Sequence, residues 1–488
     1  MTARVPSGVP GLDPILSGGF PQGRTILVLG AAGTGKTILS LQWLLDGAKR
    51  GEKGLLITLA EPASELEKGI ASFGWALKGI EVFDLSPLAT LPTQAFEEYK
   101  VFPPAEVEEI PVWKKISQAI AEKKPRRLVL DSVSILRAMS YDPYQFRKNV
   151  LALVGMLNKM GCTALLVAEP HEAEEERALA LAADGVIRLR REIGPIRVLE
   201  LRYLTVEKLR GSDYLPGLHP FRITGEGIVV FPHVVYALQE AKPGRGRLSS
   251  GAAALDELLG GGVELGTSTV ISGPTGVGKT TVGLCFLATA VAQGCRAAVY
   301  TFEEAPQSML ARARALGILS ERHLRGGRLL FRYVNPLTLY PDEFLALVRQ
   351  DVEENGCAVV MIDSVHGYSL AMEAFGDLAA HTQNLVAFLQ SHEVTSFWIN
   401  EVEHITGDLR LTELGISYLF DNAILMRYAE MGVQVVRLIG CLKKRLGPFQ
   451  TALREIRFTE KGLWVGEPLT GVTGFLTGHV RPWRPNER

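Results

Sequence analysis

The sequence predicts two tandem α/β domains, each a mostly parallel sheet flanked by helices and each carrying one phosphate-binding loop. Three observations carry that prediction. Gly273-Pro-Thr-Gly-Val-Gly-Lys279-Thr280 has the spacing G-x-x-x-x-G-K-[ST]. Gly30-Ala-Ala-Gly-Thr-Gly-Lys36-Thr37 repeats it. Around both, apolar strand-like runs alternate with helical patterns, which is how a parallel sheet reads in sequence.

Each loop follows an apolar run, Thr25-Ile-Leu-Val-Leu-Gly30 or Ser268-Thr-Val-Ile-Ser272, and opens a helical pattern. Glycines let backbone N–H groups curl around phosphate oxygens, and the helix N-terminus adds positive dipole. Lys36 and Lys279 are expected to reach the terminal phosphates, and Thr37 and Thr280 to bind magnesium.

The duplication runs well beyond the loops. Ser7-Gly-Val-Pro-Gly-Leu-Asp13 matches Ser250-Gly-Ala-Ala-Ala-Leu-Asp256. Ser7 and Ser250, Lys36 and Lys279, Glu61 and Glu304 each stand 243 positions apart. Asp131 and Asp363 are 232 apart, and Lys208 and Lys443 are 235 apart, so the second copy is slightly shorter in its middle. Domains are expected at 1–235 and 249–470, with a linker at 236–248 and a short C-terminal segment at 471–488.

A chain of 488 residues is too long for one ordinary core, which agrees with two domains. Lys plus Arg total 52 against 53 Asp plus Glu, a balance that gives no support for a nucleic-acid or membrane-surface protein. The five cysteines are scattered without a C-x-x-C pair, so a zinc site or disulfide framework is not expected. The N-terminus has no apolar signal core and no apolar run is long enough to span a bilayer, so the expected location is cytoplasmic.

Arg127-Leu-Val-Leu-Asp131 and Ala358-Val-Val-Met-Ile-Asp363 each end an apolar strand on a carboxylate followed by serine. With a phosphate loop upstream, Asp131 and Asp363 are expected to hold the magnesium shell. Hydrolysis also needs a group that positions or deprotonates the attacking water. Glu303 and Glu304 follow a strand at the carboxyl edge, where open α/β sheets bind ligands. The first copy reads Leu59-Ala60-Glu61 and keeps one of the two acids. Lys208 with Arg210, and Lys443 with Arg445, place two cations on the same side of a strand, suited to phosphate.

These residues, with Ser72-Phe-Gly-Trp75 and the closing Phe458-Thr-Glu-Lys-Gly462, resemble the KaiC family of RecA-like ATPases over almost the whole chain. The resemblance implies two stacked RecA-like rings in a homohexamer, with ATP and Mg2+ bound between neighbouring subunits. It implies that Gly33, Thr34, Gly35, Lys36, Thr37 and Ile38 hold one triphosphate. Thr275, Gly276, Val277, Gly278, Lys279, Thr280 and Thr281 would hold the other. Glu303 would be the second ring's catalytic base and also lie at the metal. Lys208, Leu209 and Arg210, and Lys443, Lys444 and Arg445, would reach the next subunit's ATP, joined by Arg437 and by Arg202. Ser72, Ser212 and Thr224 match first-ring nucleotide contacts. The preference for adenine rests on the resemblance alone, since the loop reads phosphates.

Three departures stand out. Ala60 occupies the place of the family's leading glutamate in the first ring, so slow or absent hydrolysis is expected there. The family autophosphorylates adjacent Ser and Thr in the second ring; Leu411-Thr-Glu-Leu-Gly-Ile-Ser417-Tyr418 keeps the serine and puts tyrosine where threonine would be. Ser417 is therefore the candidate phosphoacceptor. Only His479-Val-Arg-Pro-Trp-Arg-Pro-Asn-Glu-Arg488 remains of the family's longer tail. The leading expectation is a ring-forming ATPase with serine autokinase activity. Its competitors are a nucleotide-gated scaffold for a signalling protein and a DNA motor of the recombinase or helicase type.

Overall fold

The apolar runs form strands buried on both faces, as parallel strands covered by helices must be. The computed structural model describes residues 3–86, 110–140, 142–170, 173–193, 200–237, 246–372, 375, 378–402, 416–431, 433–470, 472–473 and 481–482. The chain divides into two units, Met1–Val234 and Val235–Arg488.

In the first unit, nine strands make one sheet: β1 Thr25–Gly30, β2 Gly54–Thr58, β3 Ile80–Asp84, β4 Arg127–Asp131, β5 Thr163–Ala168, β6 Gly185–Ile193, β7 Glu200–Leu209, β8 His219–Thr224 and β9 Gly227–Val230. Their order is β9-β8-β7-β6-β1-β5-β4-β2-β3. The six strands from β6 to β3 pair in parallel, and β6 to β9 continue as an antiparallel meander. The second unit repeats this with β10 Ser268–Gly273, β11 Arg296–Thr301, β12 Leu329–Tyr333, β13 Cys357–Asp363, β14 Thr395–Glu401, β15 Asn422–Met431, β16 Gln434–Lys444, β17 Arg454–Thr459 and β18 Gly462–Pro468. The order is again β18-β17-β16-β15-β10-β14-β13-β11-β12. Two mostly parallel sheets flanked by helices, related strand for strand, are the tandem fold that the duplication predicts.

Each glycine loop leads from the central strand into a 14-residue helix, α1 Lys36–Lys49 or α2 Lys279–Ala292. The repeated serine–aspartate motif is structural. Asp13 accepts from the Ser7 amide at 2.8 Å, and Asp256 from the Ser250 amide at 2.7 Å, closing the same turn in both units. Tyr236, at the start of the predicted linker, is bound into the second unit: its amide donates to Asn384 at 2.7 Å and its ring packs on Phe388. Among the described residues no helix is long and apolar enough to cross a membrane.

The first unit buries one complete guanidinium. Arg127, at the start of β4, is 0% exposed and stacks over the Trp43 ring at 5.2 Å. It donates to Glu52 at 2.6 Å and to the Trp43 carbonyl at 2.7 Å, and lies 3.3 Å from Asp46. This ties the far end of β4 to α1, whose other end carries the phosphate loop. Breaking such a pair by removing one partner strands the remaining charge. Arg127→Ala is expected to lower stability by about 3 kcal/mol, read from the urea midpoint of the first unit. An unchanged midpoint would show that the two carboxylates are solvated well enough without it.

Candidate active site

In the second unit the loop between β10 and α2 turns through left-handed backbone at Gly276 (φ 75°) and Gly278 (φ 105°). A Cβ on Gly278 would meet the Phe458 ring at 2.2 Å, so only glycine fits there. The turn seats Lys279 at the start of α2. The Lys279 ammonium is buried and donates to the Pro274 carbonyl at 3.0 Å. Burial pushes its pKa down, against the pull of Glu401, Asp363 and Glu303. A desolvated cation at a left-handed glycine turn is a fitted seat for a polyphosphate.

Thr280 and Asp363 are hydrogen-bonded across the gap between α2 and the end of β13. Burial pushes the Asp363 pKa up to about 6, with Thr280 and Lys279 opposing and Glu303 and Glu304 adding to the rise. A hydroxyl beside a carboxylate at the phosphate seat fits the small donor set that Mg2+ takes from protein when phosphates and waters complete its shell. Among the described residues there is no cluster of three or more His, Cys, Asp or Glu able to hold a metal without such help.

Glu303 and Glu304 follow β11 and diverge in role. Glu303 accepts a hydrogen bond from the Ser364 hydroxyl, which itself accepts from the Gly367 amide at 3.1 Å. Glu304 is held in a two-pronged ion pair by Arg312, both contacts at 2.8 Å. Thr275 hydrogen-bonds Glu401 at the end of β14. These residues, with Arg437 and Phe458, line a cavity of about 580 Å³. Arg437 lies over the Phe458 ring at 5.8 Å, and its Nε has no hydrogen-bond partner among the described residues.

The first unit builds the same frame with different chemistry. Gly33 (φ 75°) and Gly35 (φ 99°) shape the loop. Lys36 donates to the Ala31 carbonyl at 2.9 Å and lies 3.6 Å from Glu169. Thr34 bonds the Ala31 carbonyl at 2.8 Å, and Thr37 donates to Asp131 at 2.6 Å. Burial again raises the pKa of the carboxylate, here Asp131. The turn after the strand is conserved in shape between the units: Thr58 donates to the Glu61 carbonyl at 2.5 Å, and Thr301 to the Glu304 carbonyl at 2.7 Å. Its carboxylates are not. By the same offsets of 243 and 232 positions, Ala60 and Ser132 correspond to Glu303 and Ser364, and Gly69 corresponds to Arg312.

The paired cations serve the helical turn before them. Lys208 donates to the carbonyls of Ala180 and Ala183, both at 2.7 Å, and Arg210 to that of Leu181 at 3.2 Å. Lys443 donates to the carbonyls of Ser417 at 3.2 Å and Phe420 at 2.5 Å, and Arg445 to that of Tyr418 at 2.6 Å. Cations at a helix C-terminus satisfy its free carbonyls. Desolvation lowers the pKa of both lysines, and the neighbouring arginine adds to that.

The Lys444 ammonium is fully buried and bonded to the Leu259 carbonyl at 2.5 Å, the Gly262 carbonyl at 3.0 Å and Glu264 at 3.0 Å, so its side chain faces the interior of the second unit. Adjacent strand residues face opposite ways, which turns Lys444 inward while Lys443 and Arg445 face outward. The side chains of Leu209 and Val277 are likewise buried in the cores, and Ile38 packs against one. Thr281 lines the cavity. Ser72 donates to the Gly69 carbonyl at 2.7 Å, Ser212 accepts from Arg4 at 2.6 Å, and Thr224 donates to the Gly227 carbonyl at 3.0 Å. Arg202 on β7 is ion-paired with Glu200. Ser417 is half-buried in a short 3-10 turn; residues 411–415 before it lie outside the described residues.

Sequence reasoning missed four contributors: Glu169, Glu401, Arg312 and Ser364. The two glutamates were visible, because they lie 232 positions apart, the spacing of Asp131 and Asp363, and each follows an apolar run. Ser364 was visible as the serine that follows the strand-end carboxylate in both copies, whereas Arg312 carries no signal of its own and is found only by where the chain folds back.

A glycine loop, buried lysine, hydroxyl–carboxylate pair and strand-end acids, built twice, define a tandem P-loop nucleotide-binding protein. The KaiC ATPase family model matches residues 5–235 and 248–470. Curated relatives include the circadian clock protein KaiC3 of Synechocystis sp., 30% identical over 97% of this chain and 94% of that protein. They include the circadian clock oscillator protein KaiC of Thermosynechococcus vestitus, 29% identical over 97% of this chain and 91% of that protein. The KaiC of Synechococcus elongatus is 29% identical over 94% and 88%. The chain belongs to the KaiC ATPase family.

The inward turn of Lys444 makes a clear prediction. Lys444→Met should leave Glu264 with Arg247 alone and the Leu259 and Gly262 carbonyls without the ammonium, destabilising the second unit by about 3 kcal/mol while leaving ATP affinity unchanged. Weaker ATP binding at unchanged stability would return Lys444 to the nucleotide site.

Proposed function

We propose that the chain is an ATP-binding, ring-forming protein that hydrolyses ATP at its second domain, residues 249–470, and retains it at the first, residues 1–235. The observation that carries this reading is the convergence on one cavity of Lys279, the Thr280–Asp363 pair and Glu303. Lys279 and the loop amides would hold the β- and γ-phosphates. Magnesium, held by Thr280 and Asp363 in part through water, supplies charge neutralisation of the transferring group.

Glu303 is the group placed to take a proton. Its carboxylate, fixed by the Ser364 hydroxyl, would accept the proton of the attacking water as the new P–O bond forms. The bond to the β-phosphate oxygen breaks and ADP leaves with the electron pair. Glu304 is engaged by Arg312 and holds its place in the wall. In the first domain Ala60 removes the proton acceptor while the loop, Lys36, Thr37 and Asp131 remain, which favours binding without turnover.

The relatives' printed names describe clock proteins. On that likeness we assign a homohexamer with ATP between subunits, cytoplasmic, and Ser417 as an alternative acceptor that attacks in place of water. Lys443 and Arg445 support this in one respect: both bond the turn that carries Ser417, so charge arriving near them is mechanically linked to it. A scaffold role for a signalling partner is compatible with a first domain that keeps its ATP. A DNA motor is disfavoured by the near-neutral net charge.

Incubation with γ-labelled ATP and magnesium separates these outcomes. Glu303→Gln is expected to lower phosphate release by about 100-fold or more. Ser417→Ala should abolish label on the protein while phosphate release continues. Release unaffected by Glu303→Gln would refute Glu303 as base, and undiminished label on Ser417→Ala would refute the acceptor. Assembly is the second test: Lys36→Ala should lose the ring on sizing chromatography more completely than Lys279→Ala, and equal loss would contradict the division between domains.

A further inference from the structure

The two units differ at the tip of the glycine loop. In the first, Nη1 of Arg191 lies 3.1 Å from where a Cβ on Gly33 would stand. In the second, at the matching glycine, Gly276, the group at that place is the Tyr428 hydroxyl, at 3.2 Å. The match is one of register. Arg191 pairs with Arg202 across β6 and β7, and Tyr428 pairs with Arg437 across β15 and β16. Arg202 and Arg437 are 235 apart, like Lys208 and Lys443. One backbone site therefore carries a guanidinium in the first unit and a neutral phenol in the second.

Arg191 is ion-paired with Glu200 at 3.4 Å, a carboxylate that Arg202 also contacts. All three groups are partly exposed, and exposed pairs are weakly held and easily exchanged. A guanidinium offers a planar fork matched to phosphate oxygens and more readily leaves water than an ammonium does. Beside the glycine loop read above as a phosphate seat, it has an obvious anion to meet.

We propose that Arg191 is a nucleotide-binding residue of the first unit, its guanidinium holding the polyphosphate of ATP from the same chain that supplies the loop. This rests on the reading that the first loop binds ATP, and it explains how that domain keeps what it binds. Arg312 of the second site is committed to Glu304 and has Gly69 at its place in the first; beyond that exchange, ATP in the first meets Arg191 in place of Tyr428 and Ala60 in place of Glu303. Both replacements tighten the hold on a polyanion, and the second also removes the proton acceptor. Retention and lack of turnover are then two results of one charge pattern.

The test is release of α-labelled ATP from the full chain carrying Lys279→Ala, so that bound label reports the first unit, after a chase of unlabelled ATP with magnesium. Arg191→Ala is expected to speed release by about tenfold or more, and Arg191→Lys by less, since charge is kept and the fork is lost. Tyr428→Arg, placed in a Lys36→Ala chain, should slow release from the second unit. Release at the parental rate from Arg191→Ala overturns the proposal. If that variant does not fold, Arg191→Lys decides: faster release supports the proposal and the parental rate overturns it. A parental chain that carries no label overturns the ATP-binding reading of the first unit, and the proposal with it.

Discussion

Each unit is organised by a buried ammonium facing a buried carboxylate across a glycine turn. Lys36 and Asp131, and Lys279 and Asp363, come from different segments: one opens a helix, the other closes a strand two places away in the sheet. Burial disfavours both charges, as the raised pKa of Asp363 and the lowered pKa of Lys279 show. Polar groups held at a desolvation cost and only partly compensated within the protein await a ligand that completes them. A magnesium–triphosphate complex supplies both missing signs at once. Strand order, helix position and the left-handed glycines all serve to hold this pair open.

Around that constraint the two copies have kept geometry and exchanged charge. The turn after the second strand of each sheet closes through the same threonine-to-carbonyl bond, and the helical turn before each Lys-x-Arg pair is capped by the same three donations. The differences around the glycine loops include Ala60 against Glu303, Gly69 against Arg312 and Arg191 against Tyr428. Backbone repetition with side-chain divergence is how one fold comes to hold two different activities. In the second unit Glu303 is held by Ser364 and Glu304 by Arg312; in the first, Arg191 lies beside the loop and Ala60 takes the place of Glu303.

The frame was legible from sequence because its signals are local and repeated. The glycine spacing requires a strand before it and a helix after it, and Asp131 and Asp363 each close an unbroken apolar run. Side-chain direction within the antiparallel meander was not legible. Lys443, Lys444 and Arg445 read as one basic cluster, yet strand alternation sends Lys444 to Glu264 in the interior. The capping role of Lys208 and Lys443 depends on a turn that approaches from elsewhere in the chain, and Arg312 becomes part of the site only because its helix returns beneath Glu304. Such residues enter a site through tertiary placement, which no short spacing encodes.

The proposed division of labour is between a retaining site and a turnover site. The most direct measurement is the identity of nucleotide extracted from the chain after long incubation with magnesium and ATP, followed by rapid removal of free nucleotide. The account predicts that Lys279→Ala protein, loaded only at the first domain, yields intact ATP, whereas Lys36→Ala protein, loaded only at the second, yields ADP. ADP from both proteins would show that Ala60 does not silence the first site and would contradict the division.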